Sequence, residues 1–251
     1  LVAGLVPRYA NDEFGLARLT LLVPSSRARR TISEAFIRHA GEQGTPGLLM
    51  PRMAVVGDLD LDETLGPLLD PLGAADIPRA IEPQRRLFAL ARLIADTMGD
   101  EAPGGATLLR LARETGATMD RLLVEGVGPE ELVGESVLDL FGSLSDHWQR
   151  SLHLFATVQA KWLEQLQQWD ALDAAARRNR LFDWAAARWR AAPPETPIVA
   201  AGVTSAAPSL ARLLRVVADC DQGAVILPDF DLTMPQAVWD ELGRAGATPE
   251  P

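Results

Sequence analysis

Two clusters of side chains in this sequence have the types and spacing to hold a ligand. Ser25, Ser26, Arg27, Arg29 and Arg30 come directly after the apolar run LTLLVP, where a helical pattern begins. Hydroxyls, guanidinium groups and backbone N–H groups without intrahelical partners converge at such a terminus, so the segment could hold a phosphate, including one from a nucleic-acid backbone. A capped helix with a solvated basic face accounts for the same residues. The second cluster is the acidic run Asp58, Asp60, Asp62 and Glu63, which follows a strand-like segment. Alternating carboxylates there could bind magnesium or calcium. They lack the glycine and terminal glutamate of an EF-hand loop, and a solvated connection explains them equally well.

The remaining chemistry-bearing residues exclude more than they suggest. His39, His147 and His153 share no zinc spacing and have no nearby cysteine. The one cysteine, Cys220, rules out an intrachain disulfide, a four-cysteine zinc site and a cysteine-ligated iron–sulfur cluster within these 251 residues. The one lysine, Lys161, is followed by Trp162, so no Gly-Lys-Ser/Thr phosphate loop exists here. No Gly-x-Ser-x-Gly elbow or Cys-His pair supports nucleophilic catalysis. Trp148, Trp162, Trp169, Trp184 and Trp189 fall at helical spacing, which predicts core positions and not a base-stacking platform.

Charge and composition limit the class of protein. The 24 Lys plus Arg against 34 Asp plus Glu give a net charge of -10, unlike a basic nucleic-acid-coating protein. With 47% apolar and 23% charged residues, the sequence is that of an ordinary globular chain. No apolar run approaches the roughly 20 residues that cross a bilayer, and no signal-peptide pattern opens the sequence, so no membrane partner and a cytoplasmic location are expected. Leu1, Val2, Leu5 and Val6 read as a helix already under way, and 247–251 as a tail or truncation point, so a piece of a longer protein is expected.

The elements that must carry these residues follow from periodicity. Leu19–Val23 is a short, nearly continuous apolar run, as expected of a strand buried on both faces of a parallel sheet. Ser26 is the predicted cap of a helix over Ala28–His39, and Met53–Val56 is the next strand. From Asp58 to Thr196 no strand is predicted, only amphipathic helices. One opens near Glu82 and Pro83, another carries Leu108 to Leu122, and the longest runs from about Asp146 to Trp169. Asp173 is the predicted cap of a further helix carrying Leu181, Trp184, Ala185 and Trp189. Strands return at Ile198–Ala201 and Ala224–Leu227 with a helix between them, and a last helix spans Pro235–Gly243. The predicted organisation is an α/β parallel-sheet domain (1–57 and 197–246) interrupted by a large all-helical insertion (58–196).

The segments LTLLVPSSRARRTISEAF (19–36), SDHWQRSLHLFATV (145–158), DAAARRNRLFDWAAARWRAAPP (173–194) and IVAAGVTSAAPSLARLLRVVADCDQGAVILPDFD (198–231) resemble the N-terminal part of the AddB family, in its alphaproteobacterial form. Those proteins are double-strand break repair subunits of AddAB helicase–nucleases. The resemblance runs through nearly the whole chain in the same order, and HWQR, RRNRL, RWRAAPP and GAVILPDFD carry most of it.

The resemblance implies a superfamily 1 helicase-like, P-loop-type domain with a helical insertion. It implies AddA and DNA as partners and places the nuclease and cluster-binding residues outside this segment. In an active helicase of this type the strand matching Ile198–Ala201 would end in an Asp-Glu pair that holds magnesium and activates water. Here Gly202, Val203 and Thr204 follow it, so no ATP hydrolysis and no cofactor are expected of this segment. The turn at Ser25–Arg30 occupies the place where related helicases touch single-stranded DNA. The alternative, from the acidic run alone, is a magnesium-dependent small-molecule or nucleotide-binding α/β enzyme using Asp58, Asp60 and Asp62.

Overall fold

A computed structural model describes residues 1–9, 14–44, 47–58, 65–71, 73, 75–128, 146–205, 207–228, 231 and 233–246. Its main sheet has four parallel strands: β1 (Thr20–Val23), β2 (Arg52–Val55), β5 (Ile198–Ala201) and β6 (Gly223–Ile226), in the order β2-β1-β5-β6. The chain moves outward from β1 to β2, then crosses to the other side of β1 and continues to β6. β1 and β5 are buried at every position, as the uninterrupted apolar runs LTLLV and IVAA require of inner strands covered on both faces.

Alternate residues of the strands feed two cores. Leu22, Ala54, Val56 and Ala200 pack with Leu65 and Leu69 of α3 (Leu65–Leu69), with α7 (Ala174–Ala191) and with α8 (Pro208–Asp219). Leu21, Val23, Met53, Val55 and Val199 face the other way, onto α1 (Val2–Tyr9) and Phe36 of α2 (Ser26–Glu42). The period-2 geometry of a strand makes this split automatic. Between β2 and β5 the helices α4 (Pro83–Met98), α5 (Gly105–Glu125) and α6 (Asp146–Gln168) build a third core around Leu90, Ile94, Met119, Val158 and Trp162. A last helix, α9 (Gln236–Gly246), follows β6.

A buried polar cluster ties α4, α5, α6 and α7 together. Asp173, the residue before α7, accepts hydrogen bonds from Trp162 Nε1 at 3.0 and 3.2 Å. Arg86 of α4 lies 2.8 Å from Asp173 through Nε, a charge contact without hydrogen-bond alignment, and pairs with Asp120 of α5 at 2.7 Å. Burial pushes the Asp173 carboxyl above its usual range, even though Arg86 and the Trp162 indole pull it down. Asp173 sits where the sequence predicts a cap, with extended φ and ψ, but its side chain makes no capping bond because the network uses it.

Three expectations need correction. The stretch 58–196 is not free of strands: β3 (Arg79–Ala80) and β4 (Ala171–Leu172) pair in parallel as a second, two-stranded sheet. Two residues carry no period-2 signal, and hydrogen bonding between segments far apart in sequence leaves no local trace. Ser25, not Ser26, caps α2. Ser25 has the extended backbone of a cap (φ −158°, ψ 162°) and its hydroxyl accepts from the Ala28 N–H at 3.2 Å, whereas Ser26 is already the first helical residue. Trp184 is exposed and not core, because Phe182, Ala185 and Trp189 occupy the buried stripe of α7 and Trp184 lies off it. Trp169 is half-buried, with the Arg85 guanidinium 3.9 Å above its ring.

Candidate functional site

In a parallel sheet whose chain changes direction, the strand ends on either side of the reversal leave a crevice at the carboxyl edge. Here the reversal lies between β1 and β5, since Leu22 pairs with Ala200 and the two strands finish side by side. Two predicted segments therefore meet at one edge. Pro24, Ser25 and Ser26 leave β1, and Gly202, Val203 and Thr204 leave β5. Gly202 needs φ of +70°, a conformation glycine adopts without strain, and this turns the chain before α8. Val203 is buried and Thr204 exposed.

The β1 exit is shaped by its neighbour. Gly57, just past β2, approaches so closely that a Cβ there would lie 2.0 Å from the Pro24 carbonyl oxygen. Asp58 follows, and its carboxylate accepts from Ser26 Oγ at 3.4 Å. The first residue of the acidic run thus stands at the N-terminus of α2. Asp60, Asp62 and Glu63 lie outside the described residues. Among those described, no group of three or more His, Cys, Asp or Glu side chains converges as metal ligands would.

The basic residues of the turn are not gathered at one point. Arg27 is exposed on the first turn of α2, and Arg29 is half-buried. The Arg30 guanidinium pairs with Glu34 one turn further along, at 3.1 Å between exposed groups. Such a pair is worth about 0.3–0.5 kcal/mol and draws Arg30 away from the helix start.

A residue that sequence reasoning passed over completes the edge. Arg178, in the second turn of α7, is only 3% exposed. It reaches to the end of β2 from the opposite face to α2, with Nη1 at 3.4 Å from both the Gly57 and Asp58 carbonyl oxygens. Phe182 lies beneath it, with the ring centroid 5.5 Å from the guanidinium carbon. Its Nε has no acceptor, and no carboxylate pairs with it among the described residues. Desolvation lowers its pKa from the ordinary arginine value. The sequence signal was a cation on an otherwise apolar stripe, since Ala175, Arg178, Phe182, Ala185 and Trp189 share the buried side of α7.

No model of a known protein family matches this chain, and no curated protein matches it. What the edge can do is set by its groups: N–H donors and a hydroxyl at the start of a 17-residue helix, and a buried guanidinium from the opposite face of the sheet. Groups of these types are able to bind an anion.

Proposed function

We propose that this chain is a non-catalytic, helicase-like segment of an AddB-type subunit in a DNA double-strand break repair helicase–nuclease, guiding a DNA strand and acting as scaffold during end processing. The observation that carries the proposal is the juxtaposition at the carboxyl edge. The Ser25-capped start of α2 and the end of β5, far apart in sequence, adjoin where an α/β sheet presents its ligand site. A strand phosphate would be met there by the first turn of α2, with Arg27 exposed beside it.

Several features support the finer parts of the reading. The order β2-β1-β5-β6, with α4, α5 and α6 gathered around their own core between β2 and β5, accords with a P-loop-type domain carrying a helical insertion. Gly202, Val203 and Thr204 bring no carboxylate to the end of β5, so the segment is proposed to lack ATPase activity. No helix among the described residues is long and apolar enough to cross a membrane, in accord with a role on DNA in the cytoplasm. The net charge of -10 opposes strong autonomous DNA binding, which makes a channel shared with an AddA-type partner the natural setting.

The test is fluorescence anisotropy of a duplex with a single-stranded tail, across a salt series, with and without the AddA-type partner. Arg27, Arg29 and Arg30 are changed to Ala together. Salt-sensitive binding that the triple substitution weakens, alone or with the partner, supports strand guidance at this edge. Binding that the substitution leaves untouched in both settings removes the strand path from the turn.

A further inference from the structure

We propose that the cavity framed by the β3–β4 sheet is a nucleotide site, in which the Arg85 guanidinium stacks the base and Arg79 and Arg177 take the phosphate. Carboxylates on the same walls accept from sugar hydroxyl and base amino groups. The inference uses none of the residues of the carboxyl edge; it goes beyond strand guidance there and does not rest on it.

The cavity holds about 1080 Å³, ample by the roughly 300–1,000 Å³ typical of ligand sites. Residues of β3 and β4, the segment before β3, the turn before β4, the start of α4 and one side of α7 form its walls. The two non-glycine residues with positive φ among those described, Asp76 (43°) and Asp170 (47°), both lie on it. Such backbone costs energy and persists where the surroundings fix it. Pairing of β3 with β4 brings these two turns together, which gives the two-residue strands a purpose beyond the core.

Charges of both signs line the cavity without neutralising one another. Arg79, Arg85 and Arg177 take part in none of the ion pairs among the described residues, and neither do Asp76, Glu82 or Asp170. Arg177 is half-buried, and its Nε is closed off from water with no acceptor, so nothing within the described protein balances this cation. An anion entering the cavity would. The exposed Arg85 guanidinium lies 3.9 Å from the Trp169 ring centroid, with one face on the indole. Its other face is the kind of plane on which nucleobases stack. A flat ring, an anion and several O–H or N–H donors in one molecule of this size describe a nucleotide.

The test is isothermal calorimetry with AMP, adenosine and ribose 5-phosphate at constant ionic strength, comparing the wild-type chain with Arg85→Ala and Arg177→Gln. Arg177→Gln should weaken AMP at least about tenfold and leave adenosine unchanged. Arg85→Ala should weaken AMP and adenosine alike, by about five- to tenfold, and leave ribose 5-phosphate within about twofold. Arginines that only brace the fold would not sort the ligands by base and phosphate. Absence of AMP binding in wild type overturns the proposal, as does an Arg85→Ala variant that binds AMP and adenosine as wild type does. Arg85 is exposed, so that variant decides the matter even if Arg177→Gln does not fold.

Further arms with dAMP and oligodeoxyadenylate identify the source of the nucleotide. With AMP bound, oligonucleotide binding that both substitutions weaken makes it a residue of a strand, and absence of oligonucleotide binding makes it a free nucleotide; either result supports the site. Failure of this site and failure of strand guidance are separable. No AMP binding, with DNA binding still weakened by the triple substitution of Arg27, Arg29 and Arg30, removes the nucleotide site and leaves strand guidance; AMP binding with DNA binding indifferent to that substitution does the reverse.

Discussion

Asp173→Ala should be among the most damaging single substitutions in the helical part of the chain, for a reason unrelated to helix capping. The carboxylate makes no bond to the start of α7, so the usual loss of about 1 kcal/mol for a cap does not apply. What goes is the acceptor for Trp162 Nε1 and one of the two carboxylates facing Arg86. Trp162 is 1% exposed, so no water replaces the acceptor, and an orphaned buried donor costs about 1–3 kcal/mol. Breaking a buried ion pair costs about 3–5 kcal/mol, reduced here because Asp120 still holds Arg86 and because the buried carboxylate is itself poorly solvated. The expected total for Asp173→Ala is about 2–4 kcal/mol, and about half that for Asp173→Asn, whose side-chain oxygen can still accept from the indole. Urea unfolding followed by circular dichroism at 222 nm measures both. In a Trp162→Phe background, which lacks the donor, Asp173→Ala should cost about 1–2 kcal/mol less. A stability for Asp173→Ala within about 0.5 kcal/mol of wild type, or full additivity with Trp162→Phe, would show that the network holds nothing together.

Three further outcomes follow from the same geometry. Burial raises the folded-state pKa of Asp173, so its proton is held more tightly folded than unfolded. Wild type should therefore lose stability relative to Asp173→Asn as pH rises from about 4, the unfolded carboxylate value, through the folded value; a Tm difference flat across that window refutes the shift. Gly57→Ala places a Cβ 2.0 Å from the Pro24 carbonyl, so the ends of β1 and β2 must part, costing about 1–3 kcal/mol in denaturant unfolding; a neutral result contradicts the close approach. Ser25→Ala should cost about 1 kcal/mol through loss of the cap and Ser26→Ala under about 0.5 kcal/mol; equal costs would mean the cap is misassigned.

The inner sheet was legible because buried parallel strands leave an unbroken apolar run. LTLLV and IVAA needed no long-range information, and Pro83 marks the first turn of α4 as expected. Positions one residue away were harder: Ser25 and Ser26 are chemically equivalent, and only the backbone angles decide which one caps. The pairing of β3 with β4 depends on a contact between residues 79–80 and 171–172, which no local pattern encodes. The carboxyl edge followed the same division. That Ser25 and Ser26 lie at the exit of β1 and Gly202 at the exit of β5 was legible because each follows an unbroken apolar run. Arg178 could not be placed at the edge from sequence, because its partners Gly57 and Asp58 lie 121 and 120 positions earlier. Its presence on an apolar stripe was the one available clue.

The measurement that bears most directly on strand guidance at the carboxyl edge is photocrosslinking of a 4-thiothymidine-substituted single strand to the chain in its complex with the AddA-type partner, mapped by mass spectrometry. The account predicts crosslinks to the peptides carrying Ser25–Arg30 and Gly202–Ser205, and their loss when Arg27, Arg29 and Arg30 are changed to Ala. Crosslinks confined to α4, α5 or α6, with none at the ends of β1 and β5, would contradict it.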